Sequence, residues 1–272
     1  MVDYFKTDMT TTEFKDIYDP GTAKVGIIIL GAGKGKRMES DLPKVLVPLY
    51  GQPLISHVLH SIESVTADAR PILVVGYKAE LVKETLGPNY RYAIQTEQLG
   101  TGHAVMAARE VAAEYDHIVV LYGDQPHIPA QVINELIATH LQERATMTLM
   151  TVTVPDFDKW RAALATYGRI VRNDAGDILG IVEKKDATPE QLLIREVNPS
   201  FFCFRASWLW EQLPLLKNKN AQGEYYLTDL VSAAVSNGDK IASFSGDALA
   251  ALGANTKEEL RLLEQILEGV TG

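Results

Sequence analysis

Cysteine is almost missing from this chain. Cys203 stands alone among 272 residues, so neither an intramolecular disulfide nor a cysteine-based zinc site can form. Positive charge is short as well: 26 lysines and arginines face 35 aspartates and glutamates, a formal net charge of −9. That balance argues against a surface that binds nucleic acid or anionic lipid through bulk attraction, so any phosphate site must be locally basic. No stretch approaches the roughly 18 consecutive apolar residues of a membrane span. Residues 1–20 are polar and acidic, without the apolar core of a signal peptide, and residues 1–22 read as an N-terminal arm or a short extra helix. Low-complexity linkers and internal repeats are missing too. These absences predict one unit in a reducing cytoplasm with neither nucleic acid nor membrane as a partner; the oligomeric state is not legible.

What is present is an alternation of buried strands and amphipathic helices. Residues 24–30 form a continuous apolar run ending in glycines, the pattern of a strand covered on both faces. Leu54, Ile55, Val58, Leu59, Ile62 and Val65 then recur at helical spacing. Strands are predicted over 71–75, 90–95 and 117–122, with helices over 79–86, 101–114 and 130–141. Short connections between them imply right-handed crossovers and a Rossmann-like, mostly parallel sheet flanked by helices. Past Thr146 the texture changes to strand-like runs over 147–154, 168–172 and 178–183, with a hairpin turn at Asn173-Asp174-Ala175-Gly176. This predicts an antiparallel elaboration of the α/β fold. Helical pattern returns over 207–213, 225–235 and 257–267.

Directly after the first strand comes Leu30-Gly31-Ala32-Gly33-Lys34-Gly35-Lys36-Arg37-Met38. Alternate glycines let the backbone turn tightly and offer N–H groups to an anion, at the sheet edge where such ligands bind. The string is not a P-loop, since neither Gly-Lys pair has a glycine at the required earlier position or a serine or threonine after it. The dinucleotide fingerprint fails too, because the third glycine comes one residue early. Lys34, Lys36, Arg37 and Lys44 nevertheless cluster basic groups in an acidic protein, which suits a triphosphate with a departing pyrophosphate.

These strings, with Leu42-Pro43-Lys44-Val45-Leu46, resemble the nucleotidyltransferase domain of sugar-1-phosphate uridylyltransferases, with Lys36 in place of the family's threonine. The resemblance implies a nucleotide-diphospho-sugar transferase fold over 23–272: a nucleotide-binding half near 23–145, a sugar-binding half near 146–256 and a C-terminal helix over 257–270. It further implies that Leu30, Gly31, Ala32, Gly33, Lys34 and Gly35 wrap the nucleotide, and that Arg37 and Lys44 hold its phosphates as the catalytic pair. The run Gln95-Thr96-Glu97-Gln98-Leu99-Gly100-Thr101-Gly102-His103-Ala104 is similar to the branch specific for N-acetylglucosamine 1-phosphate. There Gln95, Gly100 and Thr101 would read uracil, an amide supplying both donor and acceptor, and Gln98 would join the nucleotide-binding set. His103 reads as a structural hydrogen bonder rather than a catalyst.

In Gly123-Asp124-Gln125-Pro126 the resemblance gives Gly123 to the nucleotide and Asp124 to a magnesium ion, shared with Asn255 of Gly253-Ala254-Asn255. Magnesium takes few protein oxygens and completes its shell with phosphate and water. By the same likeness Gly168, Glu183, Asn198, Tyr226 and Thr228 hold the sugar. The implied substrates are UTP and N-acetylglucosamine 1-phosphate. Asn198-Pro199-Ser200 departs from the family's Asn-Thr-Gly, which keeps another sugar phosphate, or a thymidylyl transfer, open as a rival. A regulatory domain that binds nucleotide without turnover is the other. The 272 residues end before any hexapeptide-repeat acetyltransferase domain, leaving a stand-alone form and a shortened chain both open.

Overall fold

A computed structural model describes residues 23–65, 67 and 70–267. The arm expected over 1–22 and the last residues of the C-terminal helix lie outside them. The strands are β1 (Val25–Leu30), β2 (Pro48–Leu49), β3 (Gln52–Pro53), β4 (Ile72–Val75), β5 (Arg91–Ile94), β6 (His117–Tyr122), β7 (Met147–Thr153), β8 (Gly168–Arg172), β9 (Ile178–Val182), β10 (Glu196–Asn198), β11 (Phe202–Arg205) and β12 (Ile241–Ser245). The helices are α1 (Leu54–Ile62), α2 (Ala79–Leu86), α3 (Thr101–Ala107), α4 (Ala130–Gln142), α5 (Ala206–Gln212), α6 (Asp229–Asn237) and α7 (Lys257–Leu267).

One sheet runs β5-β4-β1-β6-β11-β7-β10-β8-β9, with β12 alongside β7. Its first four strands are parallel, β11 runs against both β6 and β7, and β12 returns parallel to β7. The extension β7-β10-β8-β9 is antiparallel throughout. The observed architecture is thus a mixed, Rossmann-like sheet with an antiparallel elaboration.

Alternation along β1 explains the layers. Ile27 and Ile29 join Leu54, Val58, Ile133, Leu136 and Leu263 in a core on one face. Ile28 and Leu30 join Val105, Leu209, Leu230 and Val231 on the other. Each such side chain, once removed from water, contributes about 1.5–3 kcal/mol, and a strand sealed on both sides has no polar position to spare.

Two expectations fail. The helix predicted over 101–114 ends at Ala107, and the chain continues as turns closed by bonds such as Ala108 N–H to Val105 O and Arg109 N–H to Met106 O. Residues 225–228 are not helical: Tyr225 N–H donates to Leu99 O at 2.8 Å, Gly102 N–H donates to Tyr225 O at 2.8 Å, and Leu227 N–H donates to Thr101 Oγ1 at 3.0 Å. Tertiary hydrogen bonds to the Gln95–Ala104 loop replace the intrahelical ones that the apolar spacing implied.

Candidate active site

The carboxyl ends of β1, β4, β5 and β6 open onto one edge of the sheet. Successive crossovers leave β1 on opposite sides, toward β4 and toward β6, which makes this edge a topological switch point, where ligands of open α/β sheets bind. A cleft of about 240 Å³ lies there, lined by Leu30, Gly31, Ala32, Gly33, Lys44, Gln95, Gln98, Gly100, Thr101, Tyr122, Asp124 and Glu224, with Val45 and Ala104.

The glycine loop is held at both ends. Gly31 N–H donates to Val74 O at 2.8 Å, and Lys44 N–H reaches back to Gly33 O at 3.4 Å. Gly35 adopts a left-handed backbone with φ 66°, and a Cβ there would lie 2.8 Å from Lys44 Cβ. Glycine is therefore needed for the loop to pass Lys44 at all. Lys34 leans over the Tyr77 ring, 5.1 Å from its centroid, and does not line the cleft.

Lys44, Asp124, Asn255 and Arg37 converge. The Lys44 ammonium forms an ion pair with Asp124 and donates to Asn255 Oδ1 at 2.7 Å, and Arg37 Nη2 donates to the same oxygen at 3.3 Å. The backbone ties the two acceptors together, since Ala254 N–H donates to Asp124 O at 3.0 Å. Gln125, which the sequence reading passed over, braces the junction: its Nε2 donates to Pro199 O at 2.8 Å and to Ala251 O at 3.1 Å. Its place beside Asp124 was the available signal.

The donor set fits a hard divalent cation. One carboxylate and one carboxamide oxygen already meet around a positive charge, the Lys44 ammonium. Among the described residues no group of three or more His, Cys, Asp or Glu side chains is arranged for a metal, so an ion here would draw most of its ligands from substrate and water.

Beside the loop, Gln95 is 3% exposed. Its Nε2 donates to Gly100 O at 3.1 Å and faces His103 Nδ1 at 3.1 Å. The amide nitrogen is thus committed and His103 Nδ1 is an acceptor, which leaves Gln95 Oε1 to receive a ligand's donor. His103 is a hydrogen bonder in this arrangement. Gln98 Nε2 donates to Gln95 O at 3.4 Å. Gly123, between Tyr122 and Asp124, donates its N–H to Leu30 O at 3.0 Å and so sets the two loops against each other.

A second cluster adjoins the cleft. Strand register sets Asn198 opposite Gly168, and Thr228 Oγ1 donates to Glu183 Oε1 at 2.9 Å. Burial holds the Glu183 carboxyl above its ordinary range. Tyr226 donates its hydroxyl to Asp186 at 3.3 Å and receives Gln222 Nε2 at 2.9 Å; burial raises its phenol to about 12. Tyr122, also passed over in the sequence, joins the two clusters. It lines the cleft, and burial raises its phenol, with the Glu183 and Asp124 charges acting in the same direction.

Comparison with known proteins gives the family and the fold. A family model described as a MobA-like NTP transferase domain matches residues 27–223. The bifunctional protein GlmU of Desulfotalea psychrophila is 39% identical over 246 residues, 89% of this chain and 70% of that protein. Proteins of the same name from Clostridioides difficile and Burkholderia ambifaria are 39% and 43% identical across 88% and 89% of the chain. The chain spans about half the length of these last two, 51% and 52%. A solved structure of CMP:2-keto-3-deoxy-manno-octonic acid synthetase complexed with CTP superposes with a TM-score of 0.66, covering 91% of this chain and 99% of that one; at 17% identity the likeness speaks for the fold alone. The chain belongs to the MobA-like NTP transferase family and is a nucleotidyltransferase.

Proposed function

We propose that this nucleotidyltransferase transfers the uridylyl group of UTP to N-acetylglucosamine 1-phosphate, giving UDP-N-acetylglucosamine and pyrophosphate. The observation that carries the proposal is the meeting of Lys44, Arg37, Asp124 and Asn255, of which Lys44 and Asp124 line the same cleft as the glycine loop. A phosphate oxygen of the sugar phosphate attacks the α-phosphorus of UTP in line. A P–O bond forms, the bond from the α-phosphorus to the bridging oxygen breaks, and that oxygen leaves with the pyrophosphate. No side chain acts as nucleophile. The site works by positioning two anions and neutralising their charge.

Arg37 and Lys44 supply positive charge at the phosphates. Leu30, Gly31, Ala32, Gly33, Lys34, Gly35, Gln98, Gly100, Thr101 and Gly123 are assigned to the nucleotide. Gln95 Oε1 suits the N3–H of uracil and meets a lone pair in cytosine, which favours a uridine substrate. Gly168, Glu183, Asn198, Tyr226 and Thr228 are assigned to the sugar, with the nucleotide half at about 23–145 and the sugar half at about 146–256. Asp124 and Asn255 would hold a magnesium ion, which supplies charge neutralisation at the α-phosphate when bound. We place the protein in the cytoplasm, on the pool of such phosphates and on its single buried thiol.

Pyrophosphate release measured over a matrix of nucleoside triphosphates and sugar 1-phosphates tests this reading. Turnover is expected with UTP and N-acetylglucosamine 1-phosphate in magnesium. Preference for another sugar phosphate would move the assignment within the enzyme class, and nucleotide binding without release with any acceptor would favour a regulatory domain. Asp124→Asn is expected to lower kcat by on the order of 10²–10³-fold while leaving the fold intact.

A further inference from the structure

Ser200 holds a left-handed backbone with φ 70°, a conformation that side chains other than glycine adopt only under strain. Strain at a site residue calls for a compensating role, and the contacts of Ser200 supply one. Its backbone N–H donates to Asn198 Oδ1 at 3.0 Å, and its Oγ accepts from Asn198 Nδ2 at 3.2 Å. One residue therefore grips both ends of one carboxamide. Asn198 is 2% exposed and lies opposite Gly168 in the sheet, so its amide has few other ways to be oriented. On the intervening residue, Pro199 O accepts from Gln125 Nε2 at 2.8 Å, and proline's ring fixes its φ, so the turn has no neighbour through which to relax.

We infer that Ser200 is a positioning residue that sets the sugar selectivity of the site by locking the Asn198 carboxamide. The inference rests on the sugar-phosphate reading above. With Oδ1 turned to the Ser200 N–H and one Nδ2 hydrogen on Oγ, the amide presents its second Nδ2 hydrogen, a donor. The matching ligand group is an acceptor, such as an acylamino oxygen or a hydroxyl. A protonated amine at that place has no lone pair to offer, so a free amino sugar phosphate is rejected while its N-acyl form is accepted.

The test uses the full chain with UTP and three acceptors: N-acetylglucosamine 1-phosphate, glucosamine 1-phosphate and glucose 1-phosphate. Ser200→Ala removes Oγ and keeps the strain; Ser200→Gly removes both. In each variant the kcat/KM ratio of the N-acetylated to the free-amine acceptor is expected to fall roughly three- to tenfold. The change should lie in the KM for the sugar phosphate, with the KM for UTP unchanged. The Gly variant should melt about 2 °C above the Ala variant, because only glycine relieves the left-handed backbone. An unchanged ratio in Ser200→Ala, or an equal loss for UTP and every acceptor, overturns the role given to Ser200. A wild-type protein that turns over none of the three acceptors overturns the reading on which it rests.

Discussion

Asn255 Oδ1 accepts a hydrogen bond from Lys44 Nζ at 2.7 Å although 211 positions separate the two residues in the chain. That contact brings the last loop before α7 onto the first loop after β1. Replacing the amide tests it directly. Asn255→Ala keeps the backbone N–H that donates to Glu259 Oε2 at 2.6 Å, so α7 should still start correctly and the circular dichroism spectrum should not change. Turnover is expected to fall on the order of 10²-fold. A variant with wild-type kcat/KM would detach Asn255 from the chemistry.

A divalent ion bound at Asp124 and Asn255, as proposed above, would compete with Lys44 for the same two oxygens. In the free protein the ammonium is paired with Asp124 and Asn255; a bound triphosphate offers it an alternative partner. Lys44→Met should therefore bind Mn2+ without nucleotide roughly tenfold more tightly than the wild type, since a like charge has left the site. Electron paramagnetic resonance of free Mn2+ reads this without turnover. Equal or weaker binding in the variant would contradict the competition.

Glu183 links stability to pH. Burial, ahead of the Asp229, Asp186 and Glu224 charges, raises its carboxyl above the ordinary 4.5, while the Thr228 hydroxyl acts in the opposite direction. Between 4.5 and the raised value the folded state binds more protons than the unfolded one, so stability falls as pH rises through that window and stays lower above it. Glu183→Gln should melt higher than the wild type at neutral pH, with the difference vanishing as the pH is taken below 4.5. It should also raise the KM for the sugar phosphate, the trade expected of a buried charge kept for binding. A pH-independent difference in melting would contradict the titration.

Gly100 is constrained twice. Its φ is 112°, and a Cβ there would lie 2.6 Å from Tyr225 O, the acceptor of the Gly102 N–H. Gly100→Ala should cost about 2–4 kcal/mol and raise the KM for UTP. Gly87 serves as the control: its φ is 81° with nothing within 4 Å of an added Cβ, so Gly87→Ala should cost only about 1 kcal/mol of backbone strain. Equal thermal losses in the two variants would show that the close approach to Tyr225 carries no weight.

Much of the α/β frame is written locally. β1 and β6 are legible because both faces of each are buried, which forces unbroken apolar runs, and α1 and α4 because one buried face repeats at the helical period. Local pattern misled at residues 225–228, whose apolar spacing is helical but whose backbone groups are taken by Leu99, Thr101 and Gly102. It was silent on β12, a half-exposed strand identifiable only by its pairing with β7.

The site divides in the same way. Residue types and spacing alone made legible a basic glycine loop and an aspartate after a buried strand, because charge and backbone freedom are properties of each residue; the link to a late asparagine came from the family resemblance. Only the tertiary structure decided that Lys44, Asp124 and Asn255 share a point, that Gln125 braces the backbone beside Asp124, and that Ser200 grips Asn198 from a left-handed turn. Those relationships depend on how distant strands are laid side by side, a cooperative outcome of packing that no window of sequence contains.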